Sequence, residues 1–279
     1  MNRLNSKPMQ TENLKLSDSQ LEAFLHKSGF PTKLVTYFEQ LPSKINCPIK
    51  TILDCGGGNG QYLDMLLEQF PNAQGTLVDS AQFMLDQNKP HPRKQLILGN
   101  LEDLPHYVKI ENRGGVRCLY DLICFSDVLH HCICPSYQET RQLQTTILKN
   151  AKTLLSPNGH IIVSERIVNS WLTDEYSVKL IYHLTRNKPL AKIIRFFGAN
   201  TAGIGVCFIS EKLFHKLCKD AGLVSVEDIH INADEKHSIK NSIILLFRSL
   251  SLGARSFQHR LFRLEPVNRN ESAEDVDNR

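Results

Sequence analysis

Two adjacent histidines, His130 and His131, are the side chains of this chain best suited to accept a proton near neutral pH. An imidazole has an unperturbed pKa of ~6.5, so at neutral pH it can take a proton from a phenol or an enol. Both histidines follow the apolar run from Leu119 to Phe125, which predicts a buried strand. Glu165 stands near the end of another predicted strand, His160 to Ile167, where its carboxylate could orient an imidazole. The pattern predicts general-base chemistry. It leaves open which histidine acts, and whether one simply packs while the other is solvated.

The segment His130-His131-Cys132-Ile133-Cys134 also contains four side chains of metal-binding types. Histidine and cysteine are common zinc ligands, but four ligands this crowded cannot all face one tetrahedral ion without distorting the backbone. No C-x-x-C pair lies nearby. We therefore expect no metal site.

A glycine-rich turn between two predicted strands is the feature around which the rest of the chain is arranged. The stretch from Lys50 to Asp79 predicts a strand, a turn, a helix and a second strand, and the turn reads Asp54-x-Gly56-x-Gly58-x-Gly60. Such a β-α-β unit binds a ligand where the first strand meets the helix, because glycine permits close backbone approach. A P-loop is excluded because no lysine follows the glycines. A G-x-G-x-x-G dinucleotide site is excluded because Gln61 occupies the third glycine position.

The glycine turn, with Asp79 ending the next strand, resembles motif I of the class I S-adenosylmethionine-dependent methyltransferases. The resemblance covers about residues 48–248 and implies that S-adenosyl-L-methionine is the cofactor. In that family the acid after strand two accepts the ribose hydroxyls, and the segment after strand three holds the adenine. Asn100 stands here where an aspartate is common. The implied cofactor site consists of Asp54, Gly56, Gly57, Gly58, Gly60, Asp79, Ser80, Asn100, Leu101 and Ser126.

The triple glycine and Val128-Leu129-His130 resemble the small-molecule hydroxyl-methylating enzymes of the caffeate/hydroxyindole type, while His130-His131 is equally similar to quinone-pathway methyltransferases. The large N-terminal dimerisation domain of the first group has no counterpart in the roughly fifty residues before strand one. The resemblance implies methyl transfer to a hydroxyl oxygen, with His130 as base, His131 as alternative and Glu165 as orienting residue. Methylation of carbon or nitrogen on a quinone-like or lipid-like ring, and cofactor binding without catalysis, are the alternatives.

Strands that alternate with helices predict an α/β fold with a doubly wound, mostly parallel sheet. Leu223–Ile231 and Ser242–Phe247 predict an antiparallel hairpin at its C-terminal edge, which gives the seven strands of the family. We expect residues 1–45 to form a helical extension that packs on the sheet or covers the ligand edge. Residues 46–250 would form the methyltransferase domain, with a helical cap at 168–209, and residues 251–279 a polar, disordered tail.

The formal charge of +4 is concentrated in an acid-free stretch, residues 176–210, which contains three lysines and two arginines. This basic cap could face an anionic small-molecule acceptor, make weak peripheral contact with a membrane surface, or simply be a solvated face over a packed apolar stripe, which is the simplest interpretation. Its aromatic residues would form a pocket wall for an aromatic acceptor. The basic surface is too narrow to predict nucleic-acid binding. The sequence lacks an apolar leader or membrane span, and its eight cysteines have no framework spacing, so we expect a cytoplasmic protein. The oligomeric state stays open.

Overall fold

A computed structural model describes residues 16–25, 31–45, 48–108, 119–170, 174–192, 201, 203–231 and 254–267. Its strands are β1 (Thr51–Cys55), β2 (Gln74–Asp79), β3 (Lys94–Leu98), β4 (Tyr120–Ser126), β5 (Leu155–Ser170), β6 (Leu223–Ile231) and β7 (Ala254–Pro266). Its helices are α1 (Asp18–Leu25), α2 (Thr32–Lys44), α3 (Gln61–Gln69), α4 (Gln82–Leu85), α5 (Leu104–Tyr107), α6 (Tyr137–Thr153), α7 (Asp174–Arg186) and α8 (Glu211–Ala221). None of these helices is long and apolar enough to cross a membrane.

In the described part of the chain, seven strands form one sheet in the order β3-β2-β1-β4-β5-β7-β6. The strands from β3 to β5 are parallel, whereas β7 is antiparallel to both of its neighbours. Most buried side chains of the central strands are apolar, as expected where helices cover both faces of the sheet. This arrangement confirms the predicted doubly wound α/β class with an antiparallel edge.

The last strand differs from the prediction. Residues 242–247 lie outside the described residues, and the partner of β6 is instead β7, within the region expected to be a disordered tail. The prediction of a disordered tail was wrong because the charged side chains of β7, which suggested exposure to solvent, form ion pairs with residues of β6. Arg260 Nε donates to Asp228 Oδ1 at 2.9 Å, and Arg263 Nε donates to Glu227 Oε2 at 3.2 Å. The domain boundary at residue 250 is therefore wrong, since the sheet continues to Pro266.

Two helical layers enclose the sheet. Leu143 of α6 and Phe214 of α8 pack in one core cluster with Val163 of β5. Helices α2 and α3 pack on the opposite face, where Phe38 and Leu66 join a second cluster. Helix α2 therefore belongs to a packed layer and not to a lid, while α1 lies beside α4, next to the carboxyl end of β2.

Strand β5 extends well past the end of its neighbour β4. The two strands pair up to Ser126 and Ser164, after which β5 continues beside β7, and on its other side only an isolated bridge joins Ile167 to Ile209 among the described residues. Strand β5 begins at Leu155, before the predicted start at His160, and its register with β4 is irregular between Tyr120 and Leu122. Within the predicted cap at 168–209 the structure describes helix α7, whereas residues 193–200 lie outside the described residues. The extension of β5 forms one wall of the space above β4.

Candidate active site

The glycine turn between β1 and α3 is shaped to leave room for a ligand. Gly58 has φ of +54°, a left-handed conformation that side chains other than glycine rarely adopt. At Gly57 an added Cβ would lie 2.3 Å from Asp54 Oδ2, so a larger residue would collide with the carboxylate. The turn thus provides a backbone surface at the carboxyl edge of the sheet, with Asp54 directly beneath it.

Asp54 is fully buried, and among the described residues neither of its carboxylate oxygens has a hydrogen-bond partner. Burial, reinforced by the nearby Asp79, raises the pKa of Asp54 to about 7. A buried carboxylate without a donor is costly, so its persistence indicates a partner supplied by a ligand. A ligand ammonium would suit this position.

Asp79, at the end of β2, is held in a fixed orientation by two backbone donors. Gly58 N donates to its Oδ2 and Ala81 N to its Oδ1, each at 2.9 Å. Burial raises the pKa of this carboxyl above its usual range. Each oxygen of a carboxylate has two acceptor positions, so both oxygens can still accept a ligand hydroxyl. The geometry fits a pair of ribose hydroxyls next to the glycine turn.

Two residues that the sequence did not single out support this turn. Asn88 Nδ2 donates to Gly58 O at 2.8 Å, and Lys94 forms an ion pair with Asp64 at 2.7 Å although its side chain is only 1% exposed. Both side chains lie against Gly60, where an added Cβ would meet them. Sequence patterns do not reveal such roles, because the contacts join positions about thirty residues apart.

The other predicted cofactor residues lie at the same edge, since they follow the parallel strands β2, β3 and β4. Asn100 begins the 3₁₀ turn Leu101–Asp103, and the Leu101 side chain is buried in the core. Asn150 of α6 secures this turn by donating to Glu102 O at 2.6 Å. Ser126 is half-buried, whereas Ser80 is exposed. The structure thus brings together the ends of the strands that the motif predicted.

His130 and Glu165 form a buried pair beyond the end of β4. His130 is 4% exposed and Glu165 is 0% exposed. The imidazole Nδ1 is hydrogen-bonded to Glu165 Oε1, and the backbone N of His130 donates to Oε2 at 3.3 Å. Phe208 stacks on the imidazole, with ring centroids 5.1 Å apart. The contact with Glu165 leaves Nε2 as the ring nitrogen for proton exchange. His131 lies beside it, 4.0 Å between centroids and half-buried.

The backbone around His130 is fastened to the segment that follows the cap. Cys207 N donates to His130 O at 2.9 Å. The buried Gln144 of α6 donates through Nε2 both to Leu129 O at 2.9 Å and to Cys207 O at 3.2 Å. Gln144 was not expected to contribute. It joins three segments at the site although its helix shows only an ordinary apolar face.

Asp127, His130 and Glu165 each have a ligand-type atom within 4.8 Å of those of the other two. In the structure, however, Asp127 faces the guanidinium of Arg166, and Glu165 faces His130. Each carboxylate therefore already has a cationic or protonatable partner. The pairing favours proton exchange over metal coordination at this cluster.

Comparison with known proteins agrees with this geometry. Residues 53–161 match the family model described as a methyltransferase domain. The chain is 27% identical to the caffeic acid 3-O-methyltransferase of Eucalyptus globulus over 136 residues, which cover 49% of this chain and 37% of that protein. The match thus spans little more than a third of the relative's length.

Solved structures show the same fold at low sequence identity. An O-methyltransferase family protein from Burkholderia thailandensis has a TM-score of 0.51 and 16% identity, covering 89% of this chain and 59% of its own. An S-adenosylmethionine-dependent methyltransferase of Leishmania major has a TM-score of 0.51 and 14% identity, covering 88% and 82%. These structures show the fold alone. The family match over residues 53–161, together with the strand order and the glycine turn, shows a methyltransferase domain that is similar to those of the class I S-adenosylmethionine-dependent small-molecule enzymes.

Proposed function

We propose that this protein transfers a methyl group from S-adenosylmethionine to a hydroxyl oxygen of a small aromatic acceptor, with His130 as general base. One observation carries the proposal: the buried His130–Glu165 pair lies at the same sheet edge as the glycine turn, Asp54 and Asp79. In this proposal the cofactor site and the proton acceptor lie next to each other.

The cofactor supplies a methyl group on a positively charged sulfur, which departs as a neutral thioether. The residues of the chain fit such a molecule. Asp79 has free acceptor positions for the ribose hydroxyls, and Asp54 offers a buried carboxylate to the amino group. The backbone of the glycine turn lies between them, and Asn100 and Leu101 stand next along the edge for the adenine.

His130 is arranged to take a proton from the acceptor. Because Glu165 holds Nδ1, proton uptake falls to Nε2, and the carboxylate stabilises the imidazolium that forms. Glu165 also accepts from Arg166 N at 2.9 Å, which limits its own rotation. The oxygen freed of its proton becomes the nucleophile, and alignment with the methyl group supplies the rest of the rate enhancement.

Relatives named as O-methyltransferases of caffeic acid and esculetin support a phenolic hydroxyl as the acceptor group. A neutral amine or an electron-rich ring carbon can attack the methyl group before it loses a proton, so the buried pair supports methylation of nitrogen or carbon less strongly than methylation of a hydroxyl. The cytoplasm is the proposed location, and the six described cysteines, all of them free thiols, agree with a reducing compartment.

The proposal is tested with the full chain, labelled S-adenosylmethionine and a panel of catechols, simple phenols, quinols and aromatic amines. We expect calorimetric binding of S-adenosylhomocysteine and label transfer to at least one hydroxyl compound. Transfer only to amines or to ring carbon would overturn the hydroxyl assignment. Binding of S-adenosylhomocysteine without transfer to any compound would favour a cofactor-binding protein without catalysis.

A further inference from the structure

We infer that Arg166, oriented by Asp127, is a carboxylate-binding subsite next to the reacting groups. The inference rests on the proposed function and adds a charged contact to it. It concerns the α2/α3 face of the sheet, whereas His130 and Glu165 lie on the α6/α8 face.

Asp127 is the point at which the chain crosses the end of the sheet. It has φ of +51°, the one non-glycine residue with positive φ among the described residues, and aspartate tolerates this region better than most side chains. Its backbone N donates to Ser164 O at 2.8 Å, which fixes the crossing above β5. Because side chains alternate along β5, Glu165 shares a face with Val163, and Arg166 shares the opposite face with Ile162. Asp127 contacts Arg166 on one face while the following turn takes His130 to the other.

Asp127 holds one edge of the Arg166 guanidinium, and the other edge can donate hydrogen bonds to a ligand. Its Nε donates to Asp127 Oδ1 at 3.2 Å, and one terminal nitrogen, Nη2, donates to Oδ2 at 3.4 Å. Within the described part of the chain, no hydrogen bond engages Nη1. The side chain is 43% exposed. A guanidinium has five N–H donors in one plane. The donors that Asp127 does not use can therefore bind a second carboxylate.

His259 lies beside Asp127 and helps to fix the position of its carboxylate. His259 is the cross-strand partner of Arg166, and its Nε2 lies 3.9 Å from Asp127 Oδ1. That same nitrogen is hydrogen-bonded to Ser164 Oγ at 2.8 Å. Asp127 is thus flanked from two sides, and it holds Arg166 without occupying the whole guanidinium.

A carboxylate is the ligand group that this arrangement fits, and two molecules at the site could bring one. The first is the amino-acid portion of the cofactor, whose amino group we assign to Asp54 on the same face. The second is an acceptor that carries a carboxylate as well as a hydroxyl. Ligand-type atoms of Asp127 and His130 lie within 4.8 Å of each other, so an aromatic acid could reach both His130 and Arg166.

The experiment compares the wild type with Arg166→Gln and Arg166→Lys. Calorimetry measures the affinity for S-adenosylhomocysteine and for 5′-methylthioadenosine, which lacks the amino-acid portion. Kinetics measure KM for 3,4-dihydroxybenzoate and for catechol at saturating cofactor. Arg263→Gln is the matched control, because Arg263 lies on the same face of the sheet, on the neighbouring strand β7, and is paired with Ile162 at a distance from the site.

If the cofactor supplies the carboxylate, Arg166→Gln weakens S-adenosylhomocysteine binding ~10- to 100-fold, leaves 5′-methylthioadenosine unchanged, and Arg166→Lys restores part of the loss. If the acceptor supplies it, S-adenosylhomocysteine binding is unchanged, and KM rises by a similar factor for dihydroxybenzoate but not for catechol. The inference is overturned if two results occur together: Arg166→Gln binds S-adenosylhomocysteine as tightly as the wild type does, and the wild type does not prefer dihydroxybenzoate to catechol. A wild type that binds neither nucleoside would instead contradict the proposed function.

Discussion

Glu165 contacts His130 twice, through the ring Nδ1 and through the backbone N, so the carboxylate fixes both the rotation of the imidazole and the position of its loop. Both contacts are buried, and water therefore cannot easily replace either one. A base that is held in this way needs no reorganisation when it accepts a proton.

Replacing His130 with Gln should lower kcat by ~10²- to 10⁴-fold, the range for loss of a general base. Affinity for S-adenosylhomocysteine should stay within twofold, because the imidazole does not form part of the glycine turn. Glu165→Gln should have a smaller effect, ~10- to 10²-fold, since the base remains but its orientation weakens. Exposed His183 on α7 gives the control His183→Gln. A fully active His130→Gln enzyme combined with an inactive His131→Gln enzyme would transfer the role to His131.

Replacing Asp79 with Ala should weaken S-adenosylhomocysteine binding by ~1.5–3 kcal/mol, the scale for hydrogen bonds to a charged group. The variant also loses the acceptor for Gly58 N, so the turn itself should loosen. Calorimetry at constant ionic strength measures the difference. Asp86→Ala, at the exposed end of α4, removes an equal charge nearby and should not change affinity. Equal losses in both variants would indicate a general charge effect and contradict the ribose assignment.

Replacing Asp54 with Asn should stabilise the cofactor-free protein at pH 8, by on the order of 1–3 kcal/mol, because the neutral amide removes a buried negative charge that has no partner among the described residues. Its folded pKa, about 7, lies above the unfolded value of ~3.9, so between these values the folded state holds the proton more strongly. Stability from this group is therefore full below about pH 4 and is lost as pH rises towards 7. Chemical unfolding at pH 5 and pH 8 measures how much the free energy of unfolding falls as pH rises, and this fall should be smaller in Asp54→Asn than in the wild type.

The same substitution should act in the opposite direction on ligand binding. An ionised Asp54 attracts the ligand ammonium, so affinity of the wild type for S-adenosylhomocysteine should rise between pH 6 and pH 8. In Asp54→Asn the affinity should be lower, and this rise should be reduced. A wild-type affinity that falls over that range would contradict the assignment of the ammonium to Asp54.

Replacing Gln144 with Met should lower kcat by ~10-fold or more while cofactor affinity is retained. Methionine fills a similar volume but leaves the carbonyls of Leu129 and Cys207 without their donor, so the His130 loop loses its fastening. Steady-state kinetics together with calorimetry distinguish this from global destabilisation. Gln142→Met, on the exposed side of the same helix, should be silent. An equal drop in both parameters would mean that Gln144 only supports folding.

The part of the fold that follows from local pattern could be predicted. The glycine turn, the strand ends at Asp79 and Ser126, and the proximity of His130 to Glu165 all follow from apolar runs and from the rule that parallel strands end at one edge. The contacts of Asn88 and Gln144 could not be predicted, since each joins segments that the sequence keeps far apart. Strand β7 was missed for a related reason: pairing of Arg260 and Arg263 with acids on β6 is visible only once the strands are adjacent.

The position of β7 between β5 and β6 has a consequence for synthesis on the ribosome. Of the described strands, β7 is the last to be made, yet it lies inside the sheet. Until residues 254–266 have left the exit tunnel, β5 presents an unpaired edge and β6 has no neighbour to join. A nascent chain therefore passes through a period in which that edge can pair with other polypeptides, and chaperones that shield open strands are expected to matter most before β7 emerges.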